Sequence, residues 1–379
     1  MVSPVVHYRH RGRLHAFGAY ARELDLWADL FVHVTIAAPC RDEPPAGDCL
    51  PFERPNVTLR PVLETGGTTW RAKARQILAL PVLVWQLHRA MRDGDAVIHV
   101  RCPGNLGLLG AIMAPLHSRR IVAKFAGQWN GYPGEPWTVW LQRRVLGGVW
   151  WRGPVLVYGS WPGQRPNVIP FFTSALTDAE VSRARQARER RRADGPLRVL
   201  FIGRLVPSKN VDVLVAALDR LAARSVPFSC AIVGDGPERA RLETLVARHG
   251  LGDRVAFVGA VPQGDVLDHY ERADVLVRVS ETEGWPKVLA EAMACGLVCV
   301  GSDRGLIPWM LGEGRGLVVP PRDPEALAAA LERVATDPEI ARASARATER
   351  WPDHSLEDLR EALRTIVGRV ATEPARCAS

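Results

Sequence analysis

Two carboxylates and two cations stand out in this chain by the company they keep. Glu291 lies in the stretch EGWPKVLAEAMACG among Val288, Leu289, Ala290, Ala292, Met293 and Ala294, a helix-forming run with almost no polar face of its own. A carboxylate in so apolar a helix is costly to bury unless something hydrogen-bonds to it. Two vicinal hydroxyls, as in a ribose, would satisfy it well, and a salt bridge to an arginine of the same domain is the competing account. Glu283 opens the same stretch. Upstream, the apolar run LRVLFIG ends at Gly203, and Arg204 and Lys209 flank the turn that follows, ahead of a helix expected to start near Ser208 to Val211. A helix N-terminus favours anions through its free N–H groups and its dipole. Two cations beside it suggest a diphosphate clamp, although alone they read equally well as ordinary loop residues.

Other chemistries find less support. CAIVGDGPERARL has a strand, a Gly-Asp-Gly turn and Pro237 at a first helical position, a pattern that structure alone explains. No G-x-G-x-x-G follows a strand, which counts against a dinucleotide dehydrogenase. The D-x-D at 93–95 precedes the strand AVIHV, where a turn belongs, so no nucleotide-bound metal is expected. The ten histidines show no ligand spacing. Seven cysteines form no C-x-x-C pair, and their odd number favours a reducing compartment over a disulfide framework.

The elements that must carry these residues are short β-rich runs alternating with helical ones, the pattern of parallel sheets covered by helices. In the first half the strands are FVHVTIAA, VTLRPV, AVIHV, RIVAKF and VLVYG, with a helix near AYARELDLWADL. In the second they are LRVLFIG, SCAIVG, RVAFVG, VLVRVS and VCVGS, each followed by a helical run or a turn. VLVRVS ends near Ser280, Pro286 suits a first helical turn and Gly296 the position past its end. Glu283 and Gly284 therefore sit at the carboxyl edge of a sheet, where ligands bind in open α/β folds. Between the halves, TDAEVSRARQARERRRADGP reads as a solvated helix and linker. The expected parts are residues 1–180, 181–350 and a terminal helix and tail, 351–379, whose end ATEPARCAS reads as disordered.

The balance of 49 Lys plus Arg against 41 Asp plus Glu gives +8 and an isoelectric point near 9.4. Such a charge favours anionic small molecules, acidic membranes or nucleic acid without choosing among them. The longest apolar stretch, ILALPVLVWQL at 77–87, is interrupted by Pro81 and falls short of the roughly 20 residues a spanning helix needs. It lies beside Arg71, Lys73, Arg75, His88 and Arg89, and WTVWLQRRVLGGVWW at 137–151 again mixes tryptophan with arginine. Either could lie on a membrane surface, while core-facing helices with snorkelling arginines are the simpler account. No secretory signal opens the chain, so a cytoplasmic location is expected, with peripheral contact at the inner face of the membrane as a variant.

These residues carry a resemblance. Glu283 and Glu291, with seven residues between them, resemble the E-x7-E motif of retaining GT-B glycosyltransferases of group 1, and GRLVPSKN, IVGDGPER and VPPRDPEALAAAL resemble the same family's other signatures in order and spacing. The likeness is strong over about residues 196–335. It implies an α/β GT-B fold of two Rossmann-like domains facing each other across a cleft, with SLEDLREALRTIVGRV crossing back onto the first. It further implies that Gly203, Arg204 and Lys209 hold the diphosphate of a nucleotide diphosphate sugar, that Glu291 takes the ribose and Glu283 the transferred sugar, and that the backbone around Gly284, Trp285, Lys287 and Val288 contacts sugar and phosphate. Glu283, Arg204 and Lys209 would carry the catalysis, without a metal or other cofactor and without nucleic acid, toward an acceptor that is a polysaccharide, a lipid-linked glycan or a natural product. The alternatives are a nucleotide-sugar 2-epimerase and an inactive nucleotide-sugar-binding partner subunit. Two features depart from the family. Ala126 and Gly127 stand where it often has His-Gly, and its glycine-rich loop is reduced to Gly12 and Gly18. For the acceptor side the candidates are Lys124, Gln128, Trp129 and RCPGN at 101–105.

Overall fold

The computed structural model describes residues 1–372 apart from 46, 66, 68, 93–95, 133, 162 and 192–194. The D-x-D at 93–95 and the tail beyond 372 lie outside the described residues. The chain divides into two compact units, Met1–Phe172 with Asp358–Ser379, and Thr173–Glu357.

In the first unit, strands Ile98–Cys102, Ile121–Phe125, Val155–Tyr158 and Val168–Phe171 form a parallel sheet in that spatial order. Val34–Ala38 and Val57–Pro61 pair in parallel beside it, and Val2 bridges to both Ala37 and Val100. A small sheet of His7–His10, Arg13–Phe17, Cys40–Arg41 and Cys49–Pro51 has no counterpart among the expected strands. Pro81 does not interrupt its segment: one helix runs through it from Trp70 to Ala90. Pro81 faces outward, where its missing N–H and its ring disturb no packing against the core. Among the described residues no helix is long and apolar enough to cross a membrane.

The second unit holds six parallel strands in the order Val255–Gly259, Phe228–Val233, Leu197–Ile202, Val275–Arg278, Val298–Ser302, Gly316–Val319. Both faces of this sheet are covered, so its strands read as continuous apolar runs. Leu197, Val199 and Phe201 enter one core with helices Val211–Ala223 and Pro324–Thr336, while Leu200 enters the other with helices Val266–Glu271 and Lys287–Ala294. The strand order reverses between Leu197–Ile202 and Val275–Arg278, and the crevice at such a reversal is where doubly wound sheets take their ligands.

The arginine-rich segment expected to be a solvated helix and linker does form a helix, Asp178–Arg190, but one docked along one side. Thr177 and Glu180 close a capping box at its start, and Val181 and Ala184 are buried against the second unit's core. Its cations find carbonyls at the ends of neighbouring helices: Arg188 Nε donates to Ala294 at 3.1 Å, and Arg191 donates to Cys295 and Tyr270, each at 3.0 Å. Basic side chains satisfy C-terminal carbonyls and favour that end of the helix dipole. The division between units accordingly falls ahead of this helix, and the last helix, Leu356–Ala371, counts with the first unit from Asp358 onward.

Candidate functional site

The site is built where the two central strands of the second unit end. Gly203 follows Leu197–Ile202 with φ at +153°, and a Cβ there would lie 2.6 Å from Arg278 Nη1. Only glycine lets the backbone pass so close to a guanidinium. The Gly-Asp-Gly turn supports this loop from behind, with Gly203 N–H donating to Val233 and Leu205 N–H to Asp235, each at 2.9 Å. Its role is structural, as its sequence suggests. A 3₁₀ turn, Pro207–Lys209, then leads to Asn210 in the left-handed conformation, and the helix begins at Val211. The buried Asn210 amide donates to the carbonyls of Val279 and Pro321 and to Glu281 Oε1, tying the loop to the neighbouring strand end. Sequence reasoning did not single out Asn210.

This fixes Lys209 beside the Glu283 carboxylate. Lys209 Nζ donates to Glu283 Oε1 at 2.6 Å, and Arg278 reaches the same oxygen through Nε at 2.8 Å and Nη2 at 2.7 Å. Arg278 Nη1 donates to Ile202 O at 3.0 Å. Arg278 was missed as well. The signal was a cation inside VLVRVS, a strand buried on both faces, where an arginine demands a partner. Burial works to raise the Glu283 pKa, but Arg278 and Lys209 outweigh it and hold the carboxyl below its ordinary range. Lys209 titrates below an ordinary lysine, through burial first and the neighbouring Arg278 second, with Glu283 opposing. Gly305, at φ +59°, lets the Glu283 carbonyl approach to 1.9 Å from where a Cβ would sit. Arg204 is exposed on the same loop, one position past Gly203.

Gly284 and Trp285 lead into the helix Lys287–Ala294, whose N-terminus at Pro286 takes no side-chain cap. The first-turn N–H groups and the dipole at such a helix start favour anions. Glu291 is 6% exposed in this helix and accepts a hydrogen bond from the fully buried Tyr270 hydroxyl at 2.7 Å. The tyrosine thus supplies this buried carboxylate with a donor from within the same unit. Burial, reinforced by the Glu291 carboxylate, pushes the Tyr270 phenol well above its usual value. Glu291 also lines a small cavity with Ser174, Trp285, Lys287, Asp353 and His354. Trp285 packs near Trp351 and Trp309, with ring centroids 6.3 and 6.4 Å away.

The acceptor-side candidates lie in the first unit, at the carboxyl ends of its strands. Lys124 is fully buried and pairs with Glu23 at 3.0 Å, and Arg101 meets the same carboxylate at 3.2 Å. Lys124 is thereby held inside the unit. Gly104 N–H donates to Gln142 Oε1 at 3.0 Å, Trp129 meets Phe125 edge-on with centroids 5.2 Å apart, and Gln128 is half-buried. Among the described residues no three His, Cys, Asp or Glu side chains gather as a metal site.

Residues 182–351 match the model of the family described as glycosyl transferases group 1. A GDP-mannose-dependent alpha-(1-6)-phosphatidylinositol monomannoside mannosyltransferase of Mycolicibacterium smegmatis is 32% identical over 297 residues, covering 73% of this chain and 76% of that protein. An alpha-D-kanosaminyltransferase of Streptomyces kanamyceticus is 27% identical over 288 residues, 68% of this chain and 73% of that one. Among solved structures, sucrose-phosphate synthase from Thermosynechococcus elongatus superposes with a TM-score of 0.63 at 24% identity, over 97% of this chain and 96% of that one. HepE of Anabaena in complex with UDP gives 0.64 at 16% identity, over 93% and 96%. With its parallel sheets and these neighbours, the protein has the GT-B fold. The chain belongs to the group 1 glycosyltransferases.

Proposed function

We propose that the protein moves a sugar from a nucleotide diphosphate sugar to an acceptor with retention of anomeric configuration. The observation that carries this is the ion pair between Lys209 and Glu283, which stand 74 positions apart in the chain and meet at 2.6 Å where the strand order reverses. In this reading Arg204, Lys209 and the helix N-terminus after Pro286 hold the diphosphate, Glu283 takes the hydroxyls of the transferred sugar, and Glu291 takes the ribose. Gly203 lets the backbone approach the phosphates, and the chain around Gly284, Trp285, Lys287 and Val288 borders sugar and phosphate. The UDP in HepE and the GDP-mannose in the mannosyltransferase's name support a nucleotide-sugar donor.

The chemistry follows from charge. As the bond between the anomeric carbon and the diphosphate breaks, negative charge grows on the leaving oxygen, and preorganised cations stabilise it. A leaving phosphate oxygen accepts the acceptor's proton while the acceptor oxygen bonds to the same face of the sugar. No metal is required in this scheme. Lys209 is balanced by Glu283 in the free protein, and Arg278 keeps Glu283 paired when Lys209 turns to the phosphates. The transferase reading fits the named relatives better than an epimerase or an inactive subunit. The acceptor is a polysaccharide, a lipid-linked glycan or a natural product, and the phosphatidylinositol monomannoside in one relative's name favours a lipid, with peripheral contact at the inner face of the membrane. Incubation with a panel of nucleotide sugars tests the reading: slow release of nucleotide from one or two of them is expected, and release from none would refute it.

A further inference from the structure

The helix Trp70–Ala90 has two apolar faces, and the core uses only one. Ala79, Leu83 and Leu87, spaced four apart, are buried in the first unit's core. On the opposite side Trp70, Ala74, Ile77, Pro81 and Trp85 recur at helical spacing, with Leu78 and Val82 beside them, and all are exposed. Trp70 is 74% exposed, Leu78 78%, Ile77 66% and Trp85 58%. Scattered exposed apolar residues are ordinary, but a contiguous outward stripe marks a surface that binds something.

The charges beside the stripe choose the occupant. Arg71 lies over the Trp70 ring and Arg89 over the Trp85 ring, each with its guanidinium carbon 5.6 Å from the ring centroid. Both ends of the stripe thus carry a cation against an indole. Arg75 is exposed along it, and between residues 65 and 92 the sequence has five Lys or Arg and no Asp or Glu. Paired with its own copy, such a face would set like charges against one another. The geometry points to a docking surface for an anionic lipid bilayer: the tryptophans and aliphatics enter the headgroup boundary while the arginines meet lipid phosphates. This helix does not cross the membrane; it lies along it.

The inference deepens the peripheral contact proposed above, yet its test needs no sugar nucleotide. The intact chain is sedimented with vesicles of phosphatidylcholine alone and of phosphatidylcholine mixed with phosphatidylglycerol. Binding is expected only to the mixed vesicles, and it weakens as salt rises. Arg71→Glu with Arg75→Glu should cost at least about fivefold for each reversed arginine, the factor that about 1 kcal/mol per basic residue implies. Ile77→Gln with Leu78→Gln should cost at least as much, without changing the melting temperature, because both side chains are exposed. No sedimentation with mixed vesicles would overturn the inference, as would equal binding by these variants. A concentration-dependent dimer dispersed by Trp85→Gln would also overturn it, in favour of a second copy. A chain that binds these vesicles but releases no nucleotide would refute the transferase reading and leave this one standing.

Discussion

At the scale of single residues, the site turns on one carboxylate shared by two cations. Arg204→Ala and Lys209→Ala should each weaken nucleoside diphosphate about ten- to a hundredfold, since charge-assisted hydrogen bonds contribute roughly 1.5–3 kcal/mol, while a plain nucleoside is spared. Calorimetric titration with both ligands checks this, and equal losses would remove the clamp. Arg278 positions Glu283. Arg278→Leu should lower kcat with little change in donor KM, and Arg278→Lys should recover part of the loss. A carboxyl held low does its work while ionised and loses it as pH falls through the lowered value. The acid limb of activity should therefore lie below the ordinary glutamate range, and move upward in Arg278→Leu, where burial is less opposed. Lys209, held low, should release donor on the alkaline side at a pH below that of an ordinary lysine. Glu291 is in a different position, because Tyr270 already satisfies one of its oxygens. Glu291→Gln keeps an acceptor for the Tyr270 hydroxyl, so donor affinity should fall while the melting temperature holds. Lost stability with unchanged nucleotide binding would make Glu291 a residue of the fold alone. The sequence singled out Glu283, Glu291, Gly203, Arg204 and Lys209 by their types and places, and the structure brings Lys209 and Glu283 together. Arg278 and Asn210 were not, because a cation in a strand and an amide before a helix look alike whether they build a site or a turn.

At the scale of elements, the second unit was readable because each of its first five strands is an apolar run closed by glycine or serine, and the two strands Val275–Arg278 and Val298–Ser302 are buried throughout. The first unit's small sheet was not. HYRH and RLHAF carry cations and half-exposed faces, so nothing in their pattern separates a strand from a loop. The helix Asp178–Arg190 was expected, but its docking was not, for a related reason: arginines that bond carbonyls and arginines that face water have the same letters. Arg191→Ala tests the corrected account. It removes donors from the carbonyls of Cys295 and Tyr270, at the ends of the two helices that carry Glu291 and its partner. A loss of about 2 kcal/mol or more is expected in urea denaturation, with nucleotide affinity largely kept in the folded fraction. An unchanged unfolding midpoint would mean that these bonds do not hold the helix in place.

At the scale of the whole molecule, the chain pairs a unit whose sequence spells its family with one whose sequence does not. The family match covers residues 182–351, and the acceptor-side candidates all fall outside it, in the first unit. There Lys124 is taken up by an internal ion pair, Ala126 stands where the family often has His, and the sequence of this unit carries no motif that marks a general base. An inverting transfer needs such a base to take the acceptor's proton. On the proposed reading positive charge is concentrated at the diphosphate instead, which would couple catalysis to the clamp and keep the reaction on one face of the sugar. Proton NMR of the first-formed product, before spontaneous anomerisation, measures this directly. The product should show the same anomeric configuration as the donor. An inverted anomeric coupling would contradict the charge-driven mechanism and the roles given to Lys209 and Glu283.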